Sequence, residues 1–541
     1  YTSSYSSIEF NVLENDKFGL NSSCFSVVSQ PQFGSITEAS WPKGTITYQP
    51  SPGFSGVYKF TYRINSPLCD EDFETATVYV FVSNFEPAGS KFLMSTPKLT
   101  PLVIGYNVPI QDFRFQIVDQ GELGQVEFFE GQQDVSIYGK EVSGFNLIVY
   151  TPDLGVVSGT DEFEIKYCVL DDNNCVYEQS VKVEVEILDI GDGINPSCFG
   201  DCIWPGDTNF DGVVNMEDLM PLGLKMGKIG VPRSEINLTQ WYGQFGDNWE
   251  NEIENMELNI KHLDTDGDSI IMGTDTSAIS DFYGLTHSLY SNGVPFNQYA
   301  IELTGTIFAS PGDLIELDMK LGNDNQPAVD VYGFVFPFNY NPDFFVGESV
   351  DISFDDNSWL TYNSPVLYMT KNHSNGLSEA GFTRTSGNAA SGKGIIGKVQ
   401  LIIQDDIIGI RTDEDELAIN IGGGVATAMN GQGQQFGIEM GGATIHIVLD
   451  KEEEQLNKEL RDDQLIVYPN PTPNMLNVHL NGGQDFERVV LFTLTGQQVF
   501  DSGNIQTNHL ELNTQQLTNG IYLLSVHAPN GVINRKVEVL R

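Results

Sequence analysis

The chain has 541 residues, with 27 Lys and Arg against 74 Asp and Glu, a formal net charge of −47. That balance excludes nucleic acid as a partner, because a phosphate polymer needs a basic footprint. It also disfavours an anionic membrane surface and favours hard divalent cations with oxygen ligands. At roughly 150 residues per domain the length implies about three to five domains, and 11% aromatic residues exclude a disordered polyanion. No run approaches the ~18 apolar residues needed to cross a bilayer, so no transmembrane segment is expected. The chain opens on Tyr1 without a basic stretch and apolar run of the signal-peptide kind. A processed product or a fragment is expected.

Most of the sequence alternates with period two. Residues 75–82 and 181–187 each present one face to a core and one to water. Gly is 54 of 541, a surplus that fits many tight turns. The fold class is therefore mainly β, as tandem sandwiches. Tyr48 and Pro50 end one strand-like run, followed by Gly56 and a second run; Tyr150, Pro152 and Gly159 repeat that order. With Asn15 and Asp16 near the start, these segments resemble tandem bacterial Ig-like and cadherin-like repeats, at 1–86 and 87–190. The second copy lacks the Asn-Asp element. The resemblance implies spacer domains. Six cysteines fall in local pairs, Cys24 with Cys69, Cys168 with Cys175 and Cys198 with Cys202. Pairs inside single modules suit disulfides formed outside the cytoplasm; six separate buried thiols are the alternative.

Further along, Asp207, Asn209, Asp211, Asn215 and Asp218 stand at positions 1, 3, 5, 9 and 12 of a loop, with Gly212 at position 6 where the chain must turn sharply. With the Val213 carbonyl at position 7, these oxygens can converge on one Ca2+. A second loop sets Asp264, Asp266, Asp268 and Asp275 at positions 1, 3, 5 and 12, with the Ile270 carbonyl at 7. There Ser269 replaces the position-6 glycine and Met272 offers no hard ligand at position 9, so weaker binding is expected. Leu219 and Leu222 after the first loop, and Ile279 and Tyr283 after the second, suggest short helical faces. Aspartate at position 12 is the dockerin habit, and the segment 191–292 resembles a type I dockerin whose halves are separated by an insert. That insert, about 229–261, carries Trp241, Tyr242, Phe245 and Trp249. These aromatics are expected to form a small core; a carbohydrate platform would need Trp241 or Trp249 exposed. His262 and His287 flank the second loop, where a solvated or packed role is expected.

Residues 293–450 resemble a cohesin-like β-sandwich in the order of Pro311, Gly312 and Asp313, then 331–336, then Tyr340, Asn341 and Pro342, with 382–385 and 392–397 following. Gly392, Gly394 and Gly397 have dinucleotide-loop spacing, but 398–403 alternates like a strand and offers no helix N-terminus for an anion. A charged linker, 451–464, leads to 465–541. Tyr468, Pro469, Asn470 and Pro471, then Gly496, then Gly520 and Tyr522, and Lys536 in a basic terminal strand resemble the type A C-terminal sorting domain of the type IX secretion system of Bacteroidota. The resemblance implies recognition by the outer-membrane translocon and its shuttle protein.

No zincin, nucleophile-elbow or P-loop pattern occurs, and no stretch singles out a carboxylate pair. An enzyme is not expected. The expected function is that of a secreted or cell-surface structural or adhesive protein, a stalk stiffened by Ca2+, in which the dockerin-like and cohesin-like modules pair within one chain or between chains. The alternative is the non-catalytic C-terminal part of a secreted polysaccharide-degrading enzyme or of a cohesin/dockerin-type assembly.

Overall fold

The computed structural model describes residues 2–3, 8–12, 24–28, 34–40, 45–51, 56–65, 73–83, 92–105, 113–171, 174–190, 198–233, 236–288, 294–295, 297–306, 308–346, 349–374, 376–404, 416–448, 465–480, 485–494, 496–528 and 531–540. Strands dominate, as the period-two pattern requires. The N-terminal domain pairs a sheet of Thr2–Ser3, Phe73–Ser83, Gly56–Asn65 and Cys24–Val27 with one of Ile8–Asn11, Thr45–Pro50 and Gly34–Ser40. The next domain repeats the plan: Phe113–Asp119, Gly159–Asp171, Asn174–Leu188 and Phe92–Pro97 face Gly124–Ile137, Lys140–Pro152 and Leu102–Gly105. In both copies the first strand runs parallel to the last.

The repeated Tyr-x-Pro has one structural cause. Gly34 stands opposite Pro50, and Gly124 opposite Pro152. A Cβ on Gly34 would come within 2.7 Å of the Tyr48 ring, and one on Gly124 within 2.5 Å of the Tyr150 ring. Each glycine thus leaves room for a fully buried tyrosine. Cys168 and Cys175 join the hairpin of the second copy, and Cys198 and Cys202 are likewise joined. The expected Cys24–Cys69 pair, the Asn15-Asp16 element and the 451–464 linker lie outside the described residues.

The large sandwich is a ten-stranded sheet running from Asp351–Phe354 through Gly394–Ile402, Leu314–Leu321, Ile301–Gly305, Gln435–Val448, Glu416–Met429, Gly333–Asn339 and Leu377–Arg384 to Val366–Asn372, with Phe308–Ala309 added beside Gln435–Val448. Leu314–Leu321 alternates strictly, burying Ile315, Leu317, Met319 and Leu321. Gly333–Asn339 and Leu377–Arg384 are buried on both faces. Their inner face carries Phe334, Phe336, Phe338 and Phe382 into the core. Their outer face is covered by a short helix, α1 (Leu219–Leu224), and the turn before it. Met216 and Met220 cluster there with Tyr332, Val335 and Met429. Gly381 and Gly333 admit them: a Cβ on either would lie 2.8 Å from the Cγ of Met216 or Met220, respectively. The Tyr332 hydroxyl donates to the Gly223 carbonyl (2.9 Å), Thr383 Oγ1 to the Met220 carbonyl (2.8 Å) and Thr427 Oγ1 to Glu217 Oε1 (2.7 Å).

The final domain packs Leu465–Tyr468, Met475–Leu480 and His509–Asn513 against Gln498–Asp501, Arg488–Thr493, Gly520–Ala528 and Gly531–Val539. Asn470 ties the terminal strand: its Nδ2 donates to the Lys536 carbonyl (2.9 Å) and its Oδ1 accepts from Glu538 N (2.7 Å). The Tyr522 hydroxyl donates to the Thr518 carbonyl (2.9 Å), and Gly496 turns with φ +73°. The sorting motif is thus tied into its own sandwich. The run after Gly392, Gly394 and Gly397 is a strand as expected: Gly394–Ile402 covers 398–402, and among the described residues no helix follows the glycines.

The glycine-lined face gives a direct test. Gly381→Leu would put a side chain where Met216 sits and cost about 1–3 kcal/mol by overpacking. Hydrogen exchange should then speed up across 216–224 while the C-terminal domain exchanges as before.

Candidate metal centre

The two acidic loops are halves of one repeat. Asp207 and Asp264, and Asp218 and Asp275, are each 57 positions apart, and the backbone follows the same offset. Asp218 Oδ1 accepts from Thr208 N (2.7 Å) and Asn209 N (3.2 Å), and its Oδ2 from Asn215 N (2.7 Å). Asp275 repeats this with Thr265 N (2.7 Å), Asp266 N (3.3 Å) and Met272 N (2.8 Å). Asp207 Oδ2 accepts from Gly212 N (3.1 Å), and Asp264 Oδ1 from Ser269 N (3.2 Å). Each loop ends in a six-residue helix, α1 or α2 (Thr276–Asp281).

Each loop is braced by the chain that follows the other loop's helix. Val213 bridges Thr286, and Ile270 bridges Ile229. Flanking residues carry the bonds: Val214 N to Leu285 O (2.9 Å) and His287 N to Gly212 O (2.9 Å), then Ile271 N to Lys228 O (3.0 Å) and Gly230 N to Ser269 O (3.0 Å). Val213 and Ile270 are therefore non-hydrogen-bonded pairs whose carbonyls turn away from the partner strand and toward their own loop. That is where position 7 was expected to supply an oxygen.

The first loop encloses an uncompensated donor. Asp207 is fully buried, and its Oδ1 has no hydrogen-bond partner although Oδ2 is taken. Burial, then the charges of Asp207 and Glu217, hold Asp211 well above the usual carboxylate range; burial, then Asp207 and Asp211, do the same to Asp218. In the second loop Asp264, Asp266 and Asp268 offer oxygens all within 4.8 Å of one another. Burial pushes Asp264 up to about 6, against the pull of Arg233, and Asp275 up to about 7. Crowded carboxylates, an orphaned buried oxygen and inward carbonyls make an all-oxygen donor set that fits a hard dication.

Individual positions differ from expectation. Asn215 is also the N-cap of the turn 216–218, its Oδ1 accepting from Glu217 N (2.6 Å). Ser269 takes φ +72°, the conformation Gly212 takes at +94°. Met272 is exposed. His287 does not serve the second loop: it stacks on Trp204 (4.3 Å between centroids) with Nε2 2.8 Å from Asp207 Oδ2 of the first. The cross-bracing that returns residue 287 to Gly212 explains this. His262 is packed, paired with Asp201 (2.8 Å). Ile279 is buried in the helix with Ala278, but Tyr283 lies past it and donates to Glu379 of the sandwich (2.5 Å). Trp241 and Trp249 are buried, which removes the carbohydrate platform; one apolar cluster joins Trp204 and Trp241 to Met94, Leu102 and Val185 of the preceding domain. Arg233 and Glu217, missed in the sequence, are buried beside the loops. The 57-residue offset, and the lone arginine ahead of an aromatic insert, were the available signals.

The C-terminal sandwich matches the secretion system C-terminal sorting domain family over residues 466–539. It is a type IX sorting domain. That match indicates secretion through the type IX system, and residues 1–83 match the bacterial Ig domain family. No curated protein matches the sequence. Solved structures similar to it include a type I cohesin–dockerin complex from Clostridium thermocellum (12% identity, 30% of this chain and 99% of that chain, TM-score 0.24). Others are a cohesin module of a Clostridium perfringens family 33 glycoside hydrolase (15%, 28% and 98%, TM-score 0.21) and the major pilin subunit BcpA of Bacillus cereus (8%, 83% and 92%, TM-score 0.19). Among the described residues no helix is long and apolar enough to cross a membrane.

Two outcomes are expected of calcium-stripped protein. Asp264 and Asp275 have folded values above their unfolded ones, so their contribution to stability is present below pH ~4 and lost as pH rises through about 6 to 7. Protection factors across 264–281, taken relative to the unstructured chain at the same pH, should therefore fall over that window, and added Ca2+ should abolish the fall. Ser269→Gly relieves a left-handed serine at some cost in unfolded-chain entropy. It should stabilise the stripped protein by about 0.5–1 kcal/mol, read from chemical unfolding.

Proposed function

We propose that this exported chain is a structural, non-enzymatic stalk on the cell surface or in the extracellular space, in which a dockerin-like calcium module rivets an Ig-like spacer to a cohesin-like sandwich. The observation that carries the reading is the place of α1. It starts directly after Asp218, position 12 of the first loop, and is buried against the outer face of the sandwich. An ion held by Asp207, Asn209, Asp211, Asp218 and the Val213 carbonyl would neutralise the cluster and fix the helix in its docked position. A second ion would sit among Asp264, Asp266, Asp268, Asp275 and the Ile270 carbonyl. The cohesin-like face is filled by the chain's own α1, which favours pairing within the molecule over pairing between molecules. The sorting domain would be read by the translocon and its outer-membrane shuttle, placing the stalk on a Bacteroidota outer surface.

Calorimetric titration of the stripped full chain tests this. Two Ca2+ events are expected, at affinities in the roughly 10⁻⁴ to 10⁻³ M range of extracellular modules, with Asp207→Asn removing one. Exchange across 216–224 should slow as calcium binds, and the mass should stay monomeric. Absence of binding, or binding that leaves 216–224 unaffected, overturns the rivet.

A further inference from the structure

The two loops place their carboxylates differently, and one basic residue lies beside the second. Each loop holds four carboxylates: in the first, Asp207, Asp211 and Asp218 stand at positions 1, 5 and 12 while Glu217 accepts from Thr427 Oγ1 (2.7 Å), whereas in the second Asp264, Asp266, Asp268 and Asp275 stand at positions 1, 3, 5 and 12. Beside the second lies Arg233, from the start of the insert and only 7% exposed. Its Nη2 donates to the Thr265 carbonyl at loop position 2 (2.8 Å), and its Nη1 reaches Gln244 Oε1 (3.4 Å). Its Nε is buried without a partner.

The guanidinium feels the charges of Asp264, Asp266 and Asp275, yet among the described residues it makes no ion pair within 4.0 Å with any of them. The guanidinium thus lies beside the loop without taking a carboxylate oxygen directly. Position 4 of the loop is fitted to it. A Cβ on Gly267 would come within 2.5 Å of Nη2 and 2.7 Å of Nε, so only glycine lets the guanidinium lie against that turn. The first loop has Phe210 at position 4, and its ring meets His262 and His287 at 4.7 and 5.7 Å instead of a cation.

We infer that Arg233 is a resident counter-charge of the second loop, limiting its opening without calcium and lowering its calcium affinity below that of the first. A fixed positive charge bonded to the loop backbone would repel a bound cation, and it offsets the like-charge repulsion that would open an empty loop. The two sites therefore divide the work: the first responds to lower calcium, and the second loosens less when calcium is scarce than its four carboxylates alone would allow. The inference rests on the calcium reading of the loops.

The test uses the full chain carrying Asp207→Asn, so that the second loop is read alone, with Arg233→Met and Arg233→Lys added separately. Arg233→Met should tighten Ca2+ binding about tenfold and lower the melting temperature of the stripped protein, whereas Arg233→Lys should keep the parent affinity. Unchanged or weaker binding in Arg233→Met, or equal binding in the Met and Lys variants, overturns the counter-charge. Should Arg233→Met unfold when stripped, refolding at a calcium concentration below the parent's binding constant supports the inference, and failure to refold at saturation overturns it. Absence of calcium heat in the unaltered protein and in every variant sinks the calcium reading itself. Binding at the first loop with an insensitive second loop sinks only the role of Arg233.

Discussion

Asp207 and Asp218 are fully buried with Asp211 between them, and everything around the module answers to that concentration of like charge. Ionised carboxylates in a low-dielectric setting are strongly unfavourable unless paired, protonated or bound to a cation. The backbone supplies part of the compensation: Asp218 alone accepts from three main-chain amides. His287 reaches the outer oxygen of Asp207, but the inner oxygen is left without a partner. The same loop leads into α1, so whatever settles its charge also settles the helix that joins two β-domains.

The repeat is symmetric in its backbone and asymmetric in its outer surface. Met216, Leu219 and Met220 stand where the second half has Gly273, Thr276 and Ser277. The first set is fully buried, in part against the sandwich, whereas Gly273 and Ser277 are exposed and Thr276 is half-buried. Only the first half can therefore fill the apolar face between Gly333 and Gly381. Tyr283 adds a polar contact from beyond α2 through Glu379, which also meets His373 (2.7 Å). A structural repeat has diverged into a docking half and a solvent-facing half, and the partner face, with glycines under the two methionines, is complementary to one of them.

Much of this was legible in the sequence because strands with one wet face alternate, and oxygen ligands in a turn keep a fixed spacing. The runs at 75–82 and 181–187 fall within the strands Phe73–Ser83 and Asn174–Leu188. What escaped reading depends on contacts distant in sequence. The near-continuous burial of Gly333–Asn339 is unintelligible for a sandwich strand until α1 is placed on its second face. His287 follows the second loop in sequence but serves the first, because the segments after the two helices exchange partners. Arg233 lies 31 residues before Asp264 and is recognisable as its neighbour only once the insert folds back. The buried state of Trp241 and Trp249 follows from a cluster whose other members lie in the preceding domain.

The placement of the docking contacts bears on how a stalk would carry load. In sequence, the end of the repeat is followed by the strand Ile301–Gly305 of the sandwich. Yet the hydrogen bonds that hold α1 and the turn before it reach across 109, 163 and 210 residues, to Tyr332, Thr383 and Thr427. Pulling the two domains apart must break this lateral contact before the connecting chain extends. The resistance then lies in packing Met216 and Met220 against glycine-lined strands, and packing of that kind holds only while the helix beneath it keeps its shape. A loop of repelling carboxylates at the base of α1 is the weakest place in such a joint, and it is also where a divalent ion has the most to stabilise.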